Sequence, residues 1–480
     1  MMHKEGLKSL QQLFENSADV KISMNTFNEQ VVYFITCDKM VDEKFLHEIV
    51  VPRLQNVIQE AGNNFSCNNL TDHLHLPGLK EIAELKQAEV SVYKGSLLLF
   101  FEKEQCLFHV NIANRPNRNP EETKSEITIK GPRDNFIEDL STNIALIRKR
   151  IPTRSLAVTK MVLGERSKTE VAILYFEDVA DLQIFNEIKQ KISTIDTDIV
   201  ASGELVVNHV VKNNSIFPQM DYTGRPDFAI QALARGRFIV LVEGVAYANI
   251  IPINLFFLVK TAEDNDFPAV FSSAERLLRI ASLLIGTFLP GLWLALTTFH
   301  QNQLPFQLLA TVVQANVGLP LPSALEMLLM VFLFELLREA GLRLPSIIGS
   351  TIGIVGGLII GDAAIRAGIT SPAMVVIIAT STIATYTLVN QSLVTAVSIV
   401  RLFTIFFASL FGLFGFIIAL FIILLYLCNI RNFGVPYLNI GQELTWENIS
   451  KTLLRRHSKS YTKRPNMLNP NDATRSKRSK

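Results

Sequence analysis

The pattern of apolar and polar positions changes near residue 277. Before it, the chain mixes short apolar runs with charges. From 278 to 428, apolar residues continue in long stretches with few charges. A bilayer core of roughly 30 Å takes about 20 apolar residues as a helix. Five windows approach that requirement: Ile280–Phe299, Leu319–Leu337, the short glycine-rich Ser346–Gly361, Pro372–Leu388, and Leu393–Cys428. The last is too long for one straight span, and Arg401 interrupts it early. The pattern predicts an all-α transmembrane bundle of four to six helices.

Upstream, two stretches share a strand-then-helix pattern. VVYFITC (Val31–Cys37) is followed by Asp38 and by helical spacing through Phe45, Ile49 and Leu54. VAILYF (Val171–Phe176) is followed by Asp178 and by the same spacing through Ile184, Ile188 and Ile192. β-rich runs, turn acids and amphipathic helices in that order suggest two related α/β lobes. Further strands are expected at Ser96–Phe101, Ile127–Ile129 and Phe238–Leu241. Asn111–Glu126 is polar and contains proline, so it reads as a loop. Lys160–Lys168, around Gly164, reads as a charged hairpin loop, and Asn208–Tyr222 as a linker. The expected fold class is α+β. One α/β subdomain takes 1–150, a second 151–220, a linker and pre-membrane region 221–277, the transmembrane helices 278–428, and a basic tail 429–480.

Charge sets the expected orientation. The 480 residues carry a net charge of only +2, which gives no general attraction to nucleic acid. The tail from Lys451 to Lys480 is the exception, with ten Lys/Arg against one acid, Asp472. Positive charge beside membrane segments stays on the cytoplasmic side. The N-terminus lacks an apolar signal-peptide core, so it too is expected in the cytosol. Both ends on one side require an even number of crossings, and five windows are odd. Either the glycine-rich segment does not cross, or Leu393–Cys428 folds as two elements. The cysteines Cys37, Cys67, Cys106 and Cys428 fit no metal or disulfide spacing and are expected as free thiols.

Candidate chemistry is sparse. There is no phosphate loop, nucleophile elbow or metal cluster, and so no catalytic group, metal or cofactor is expected. His73 and His75 suit one strand face but have no supporting ligands. Two features exceed simple hydrophobicity. Glycine recurs every fourth residue at Gly349, Gly353, Gly357 and Gly361, forming a stripe that lets another backbone approach closely. The stripe serves either a helix packed in a ring of copies or tight packing within one subunit. Ile352, Val355, Ile359 and Asp362 lie around it. The second feature is charge at membrane depth, where each ionised group costs roughly 2.5–3.5 kcal/mol. Glu326, Glu335 and Arg401 lie inside apolar windows. Glu326 and Glu335 could attract cations along a path. Alternatively, Glu335 pairs with Arg338 or Arg343, and Asp362 with Arg366. Glu326 has no basic residue within a turn.

Several longer motifs carry a resemblance. FPQMDYTGRPD (Phe217–Asp227), GRFIVLVEG (Gly236–Gly244), ALTTFHQNQLP (Ala295–Pro305), FELLREAGLRLPS (Phe334–Ser346) and AGITSPAMV (Ala367–Val375) occur in the order found in A subunits of bacterial spore germinant receptors. The chain resembles that family from about Ser215 to Leu427, departing at Gly224, where an acid is commoner. The resemblance implies a protein of the spore inner membrane, with its N-terminal domain of two α/β subdomains and its tail in the cytosol. It implies a transporter-like B subunit that binds nutrient and a lipoprotein C subunit as partners. It also implies a homo-oligomeric ring in the bilayer around an ion-conducting pore. The competing reading is a sensor or scaffold whose membrane part only anchors. A membrane enzyme is disfavoured by the missing catalytic group, and no inverted repeat supports a transporter.

Overall fold

The computed structural model describes residues 6–28, 30–61, 67, 70–82, 84–114, 116, 131–211, 215–343, 357, 359–438, 450, 453–455 and 464–474. The chain divides into two compact units. The first comprises residues 1–213, 220–252 and 459–480, and the second 214–219 and 253–458.

The first unit is an internal repeat. After α1 (Gly6–Leu13), the hairpin β1 (Val20–Phe27) and β2 (Gln30–Cys37) leads into α2 (Val51–Ala61), β3 (Lys80–Glu81), α3 (Leu85–Tyr93), β4 (Ser96–Phe101) and β5 (Cys106–Asn111). Following α4 (Leu140–Arg150), the order recurs. β6 (Leu156–Leu163) and β7 (Thr169–Phe176) precede α5 (Leu182–Ser193), α6 (Gly203–Val210), β8 (Asp221–Thr223), α7 (Pro226–Leu233), β9 (Phe238–Val242) and β10 (Ala248–Ile251). The sheets run β1-β2-β4-β5-β3 and β6-β7-β9-β10-β8, antiparallel at every step. The two runs that matched in the sequence are β2 and β7, which occupy the same place in each sheet. A capping acid beyond the turn residue named above opens the helical segment that follows each strand, Glu43–Phe45 after β2 and α5 after β7. Asp42 accepts from the Phe45 amide, and Asp181 from the Gln183 amide.

Burial on both faces explains the unbroken apolar strands. Successive strand residues point to opposite faces. Val32, Phe34, Leu97, Leu99 and Phe101 line one core, while Ile35, Cys37, Leu98 and Phe100 line the other. Each such side chain contributes about 1.5–3 kcal/mol on burial. The second sheet differs from the expected boundaries, because three of its strands come from 221–251, a stretch read above as linker. β9 falls on the expected strand Phe238–Leu241, whereas β8 and β10 are short, so local pattern alone did not separate them from connecting segments. Ile127–Ile129 and most of the expected loop Asn111–Glu126 lie outside the described residues. The thiol expectation is corrected at two positions. Cys67 and Cys106 form a disulfide across 39 residues, because the fold places Cys67 against the core beside β5. Cys37 and Cys428 are free.

A buried ion pair links the two halves of this unit. Arg148 on α4 donates from Nε and Nη2 to Asp19 at 2.7 and 2.8 Å, and to the Thr153 carbonyl at 2.9 Å. Its guanidinium lies 4.1 Å from the centre of the Tyr93 ring. Burial pushes the Tyr93 hydroxyl up to about 12. Just before β1, the chain exchanges backbone hydrogen bonds with Val158 of β6. Part of the basic tail also belongs to this unit. Residues 464–474 fold around Arg464, which donates to Asp472 and to the Ala234 carbonyl, while Asn471 donates to the carbonyls of Val179 and Ala180. Leu468 is buried there.

The second unit is helical. It contains α8 (Ala269–Thr298), α9 (Phe306–Asn316), α10 (Ser323–Arg343), a helical stretch over 359–366, α11 (Pro372–Tyr386) and α12 (Gln391–Asn429). Among the described residues, α8 and α12 are long and apolar enough to cross a membrane, and α11 is apolar but shorter. The expected span Leu319–Leu337 begins late, at Ser323, because Pro320 and Pro322 obstruct helix before it. Most of Ser346–Gly361 lies outside the described residues.

α12 is two elements. Its helix is broken at Gly412, with φ 60° and ψ −136°. The first arm runs alongside α8 in the same direction. Cβ atoms built on Gly286, Gly291 and Gly412 would meet Val397, Thr404 and Phe299 in turn. The second arm returns, with Phe416 against Phe288 and Tyr426 against Phe217. A Cβ on Gly415 would strike the Phe407 carbonyl, eight residues back, which a straight helix holds about 12 Å away. At the start of α8, buried Asp264 receives Arg276 at 2.6 Å and Arg279 at 3.0 Å. Although burial opposes ionisation, the two guanidiniums hold the Asp264 carboxyl below its ordinary value. Arg276 also donates to the Leu454 carbonyl, so tail residues close this end of the helix.

Candidate functional site

The apolar helices of the second unit enclose a polar chain that crosses four of them. Glu335 on α10 is its centre. One carboxylate oxygen takes Arg338 one turn later on the same helix. The other takes Arg401 Nη2 from α12 at 3.2 Å. Arg338 reaches on to Ser398 at 3.4 Å, and Arg401 Nη1 lies 3.4 Å from Ser381 Oγ on α11. Ser381 in turn donates to the Gly286 carbonyl of α8 at 3.0 Å. Beside it, Thr404 Oγ1 lies 2.8 Å from the Arg401 carbonyl of its own helix and 3.2 Å from the Thr287 carbonyl of α8. The Arg401 side chain is 2% exposed and that of Glu335 31%. Two guanidiniums against one carboxylate leave a local charge of +1.

That balance changes the reading of Glu335. A carboxylate held by two arginines is neutralised and does not draw cations. Of the two basic partners considered from sequence, Arg338 is engaged. Arg343 instead pairs with Glu339 on an exposed face at 2.6 Å. Arg401 comes from another helix, which is why spacing along the chain did not reveal it.

Glu326 forms a separate site. It is 1% exposed and accepts from Thr370 Oγ1 and the Ser371 amide, both at 2.7 Å. Ser371 is the N-cap of α11, so the carboxylate faces a helix N-terminus, where amides and dipole favour negative charge. Met327, Met330, Met374 and Ile378 pack around that region.

The glycine-stripe residues fall differently. Gly349, Gly353, Ile352 and Val355 lie outside the described residues. A Cβ on Gly357 would meet nothing within 4 Å, whereas one on Gly361 would lie 3.3 Å from Val375. Ile359 is exposed. Asp362 pairs with Arg366 at 2.7 Å on an exposed face, as the four-residue spacing allows. Among the described residues, no three His, Cys, Asp or Glu side chains form a metal-binding group. Ser381 and Thr404 were not among the expected site residues; the sequence signal for them is a hydroxyl inside an apolar run, beside a helix that contains Pro290.

A repeated α/β unit followed by apolar helices with a charged interior defines a non-random class of chain, and comparison with known proteins names it. The family described as Bacillus/Clostridium GerA spore germination protein matches residues 8–467, and the chain belongs to that family. Spore germination protein XA of Bacillus anthracis is 37% identical over 470 residues, covering 96% of this chain and 95% of that protein. Spore germination protein KA of Bacillus subtilis is 30% identical, covering 95% and 84%. A B. subtilis relative named as an uncharacterized membrane protein, YfkQ, is also 30% identical, covering 96% and 90%. The crystal structure of the N-terminal domain of the A subunit of the Bacillus megaterium spore germinant receptor GerK3 aligns at 19% identity with a TM-score of 0.38, covering 51% of this chain and 92% of that one.

Proposed function

We propose that this chain is the A subunit of a nutrient-responsive spore germinant receptor, and that its helical unit forms the ion-conducting membrane part of the complex that triggers germination. The observation that carries the reading is the polar chain from Arg338 to Gly286 inside apolar helices. A helix bundle that only anchors a protein has no need of ions, which are costly at membrane depth. Membership of the GerA family supports the placement in germination. The reading places the protein in the spore inner membrane as a multi-pass chain, with the N-terminal unit and the tail in the cytosol. Its partners are a transporter-like B subunit and a lipoprotein C subunit, and copies of the chain form a ring.

In this reading the path is lined by the glycine-striped helix, with Ile352, Val355, Ile359 and Asp362 around it. Glu335 and Arg401 hold the bundle, and Glu326 fixes the start of α11. Conduction then requires a change of helix packing that a partner's ligand biases. The test is nutrient-triggered cation release from spores carrying Gly357→Leu or Val355→Asp. Altered release with normal protein levels is expected, and unchanged release in both overturns the pore assignment. Exchanging the N-terminal unit between related receptors separates the scaffold reading: nutrient specificity that travels with that unit makes it the sensor.

A further inference from the structure

α8 carries Pro290 in its interior. Proline has no amide hydrogen, so the carbonyl four residues earlier, on Gly286, lacks its helical donor. Inside an apolar bundle no water is at hand to replace it. Ser381 from α11 donates to that carbonyl at 3.0 Å and is itself 0% exposed. The absent side chain at residue 286 permits the approach, since a Cβ there would lie 2.8 Å from Thr385 Cγ2 and 3.4 Å from the Ser381 carbonyl. One residue on, the Thr287 carbonyl lies 3.2 Å from Thr404 Oγ1 of α12, whose nearer acceptor is the Arg401 carbonyl of its own helix at 2.8 Å. A hydroxyl from a neighbouring helix therefore stands in for the missing amide in this turn of α8.

A hydroxyl has one proton to donate. Ser381 gives it to Gly286, which leaves its oxygen lone pairs for Arg401 Nη1, 3.4 Å away. Arg401 is in turn held by Glu335. We infer that Ser381 is a positioning residue that replaces the amide Pro290 lacks, and that the Glu335–Arg401 pair, acting through it, sets the bend of α8. The turn at Pro290 becomes a joint whose angle depends on an ion pair two helices away. This link stands on helix geometry. Only its use in gating rests on the conduction reading above.

The test uses the full chain in lipid nanodiscs with spin labels at Leu278 and Thr298, exposed positions on either side of Pro290. Four chains are compared: unchanged, Ser381→Ala, Pro290→Ala, and the double variant, with Arg401→Met as a fifth. Ser381→Ala is expected to shift or broaden the distance across α8 and to lower the thermal midpoint, and Arg401→Met to move the distance in the same sense. Pro290→Ala restores an amide to Gly286, so in its background Ser381→Ala should have a much smaller effect on both readouts. Equal losses in the proline and alanine backgrounds, or an undisturbed distance in both Ser381→Ala and Arg401→Met, overturn the inference. If the suppression is observed while nutrient-triggered cation release stays normal in every variant, the joint stands and the conduction reading fails.

Discussion

Removing either partner of the Glu335–Arg401 pair should have unequal effects, and the inequality follows from the charge count. In Glu335→Gln, Arg338 and Arg401 lose their shared carboxylate and face each other in an apolar surround. Stranding a buried charge typically costs about 3–5 kcal/mol. Glu335 is 31% exposed, so solvent screens part of this, and about 2–3 kcal/mol is the appropriate range. In Arg401→Met, Glu335 keeps Arg338, the local charge falls from +1 to 0, and a flexible apolar side chain fills the space. A loss within about 1 kcal/mol is expected there. For a unit of this size, each kcal/mol moves the thermal midpoint by roughly 2–4 °C. Glu335→Gln should therefore lower the midpoint of the protein in nanodiscs by roughly 4–12 °C, and Arg401→Met by less than about 4 °C. The double variant strands only one arginine and should fall between them. An Arg401→Met midpoint as low as that of Glu335→Gln would refute the charge count and point to a further anion near Arg338.

Three other outcomes are expected. Gly412→Ala should destabilise the helical unit strongly, because a Cβ there would sit 2.7 Å from that of Phe299 and the backbone has φ of 60°; strain of about 1–3 kcal/mol plus overpacking of similar size is expected, and an unchanged midpoint would argue against the reversal. Since the Asp264 carboxyl is held below its ordinary 3.8, its contribution is present above about pH 4 and lost as pH falls through the lower folded value. Amide protection over 262–276, taken relative to intrinsic exchange at each pH, should therefore fall below pH 4 in the unchanged chain, and Asp264→Asn should flatten that dependence; an equally steep profile in the variant would assign it to another group. Arg464→Ala removes the centre of the folded tail, so amide protection at Asn471 should be lost, and retained protection would show that Leu468 and Asn471 suffice.

The sequence by itself determined the division into a mixed region and an apolar one, because hydrophobic run length and period are local properties. It also revealed the repeat. Val31–Cys37 and Val171–Phe176 carry the same pattern since β2 and β7 are both buried central strands, and apolar residues on both faces leave a continuous run. The pairs Glu335–Arg338 and Asp362–Arg366 were legible too, as spacings of three and four residues bring side chains together on any helix.

Tertiary structure alone decided the rest, because those contacts join residues distant along the chain. Arg401 reaches Glu335 across 66 residues, and Ser381 reaches Gly286 across 95. Asp19 meets Arg148 across 129. Glu326 looked like an unexplained charge until Thr370 and Ser371 of another segment were placed beside it. The short strands β8 and β10 have no periodicity long enough to declare them, and only their partners in the second sheet make them strands. The reversal at Gly412 was one of two ways to resolve an odd number of windows. A glycine tolerates that backbone and leaves room for Phe299 against it, and the returning arm is held by Phe416 against Phe288.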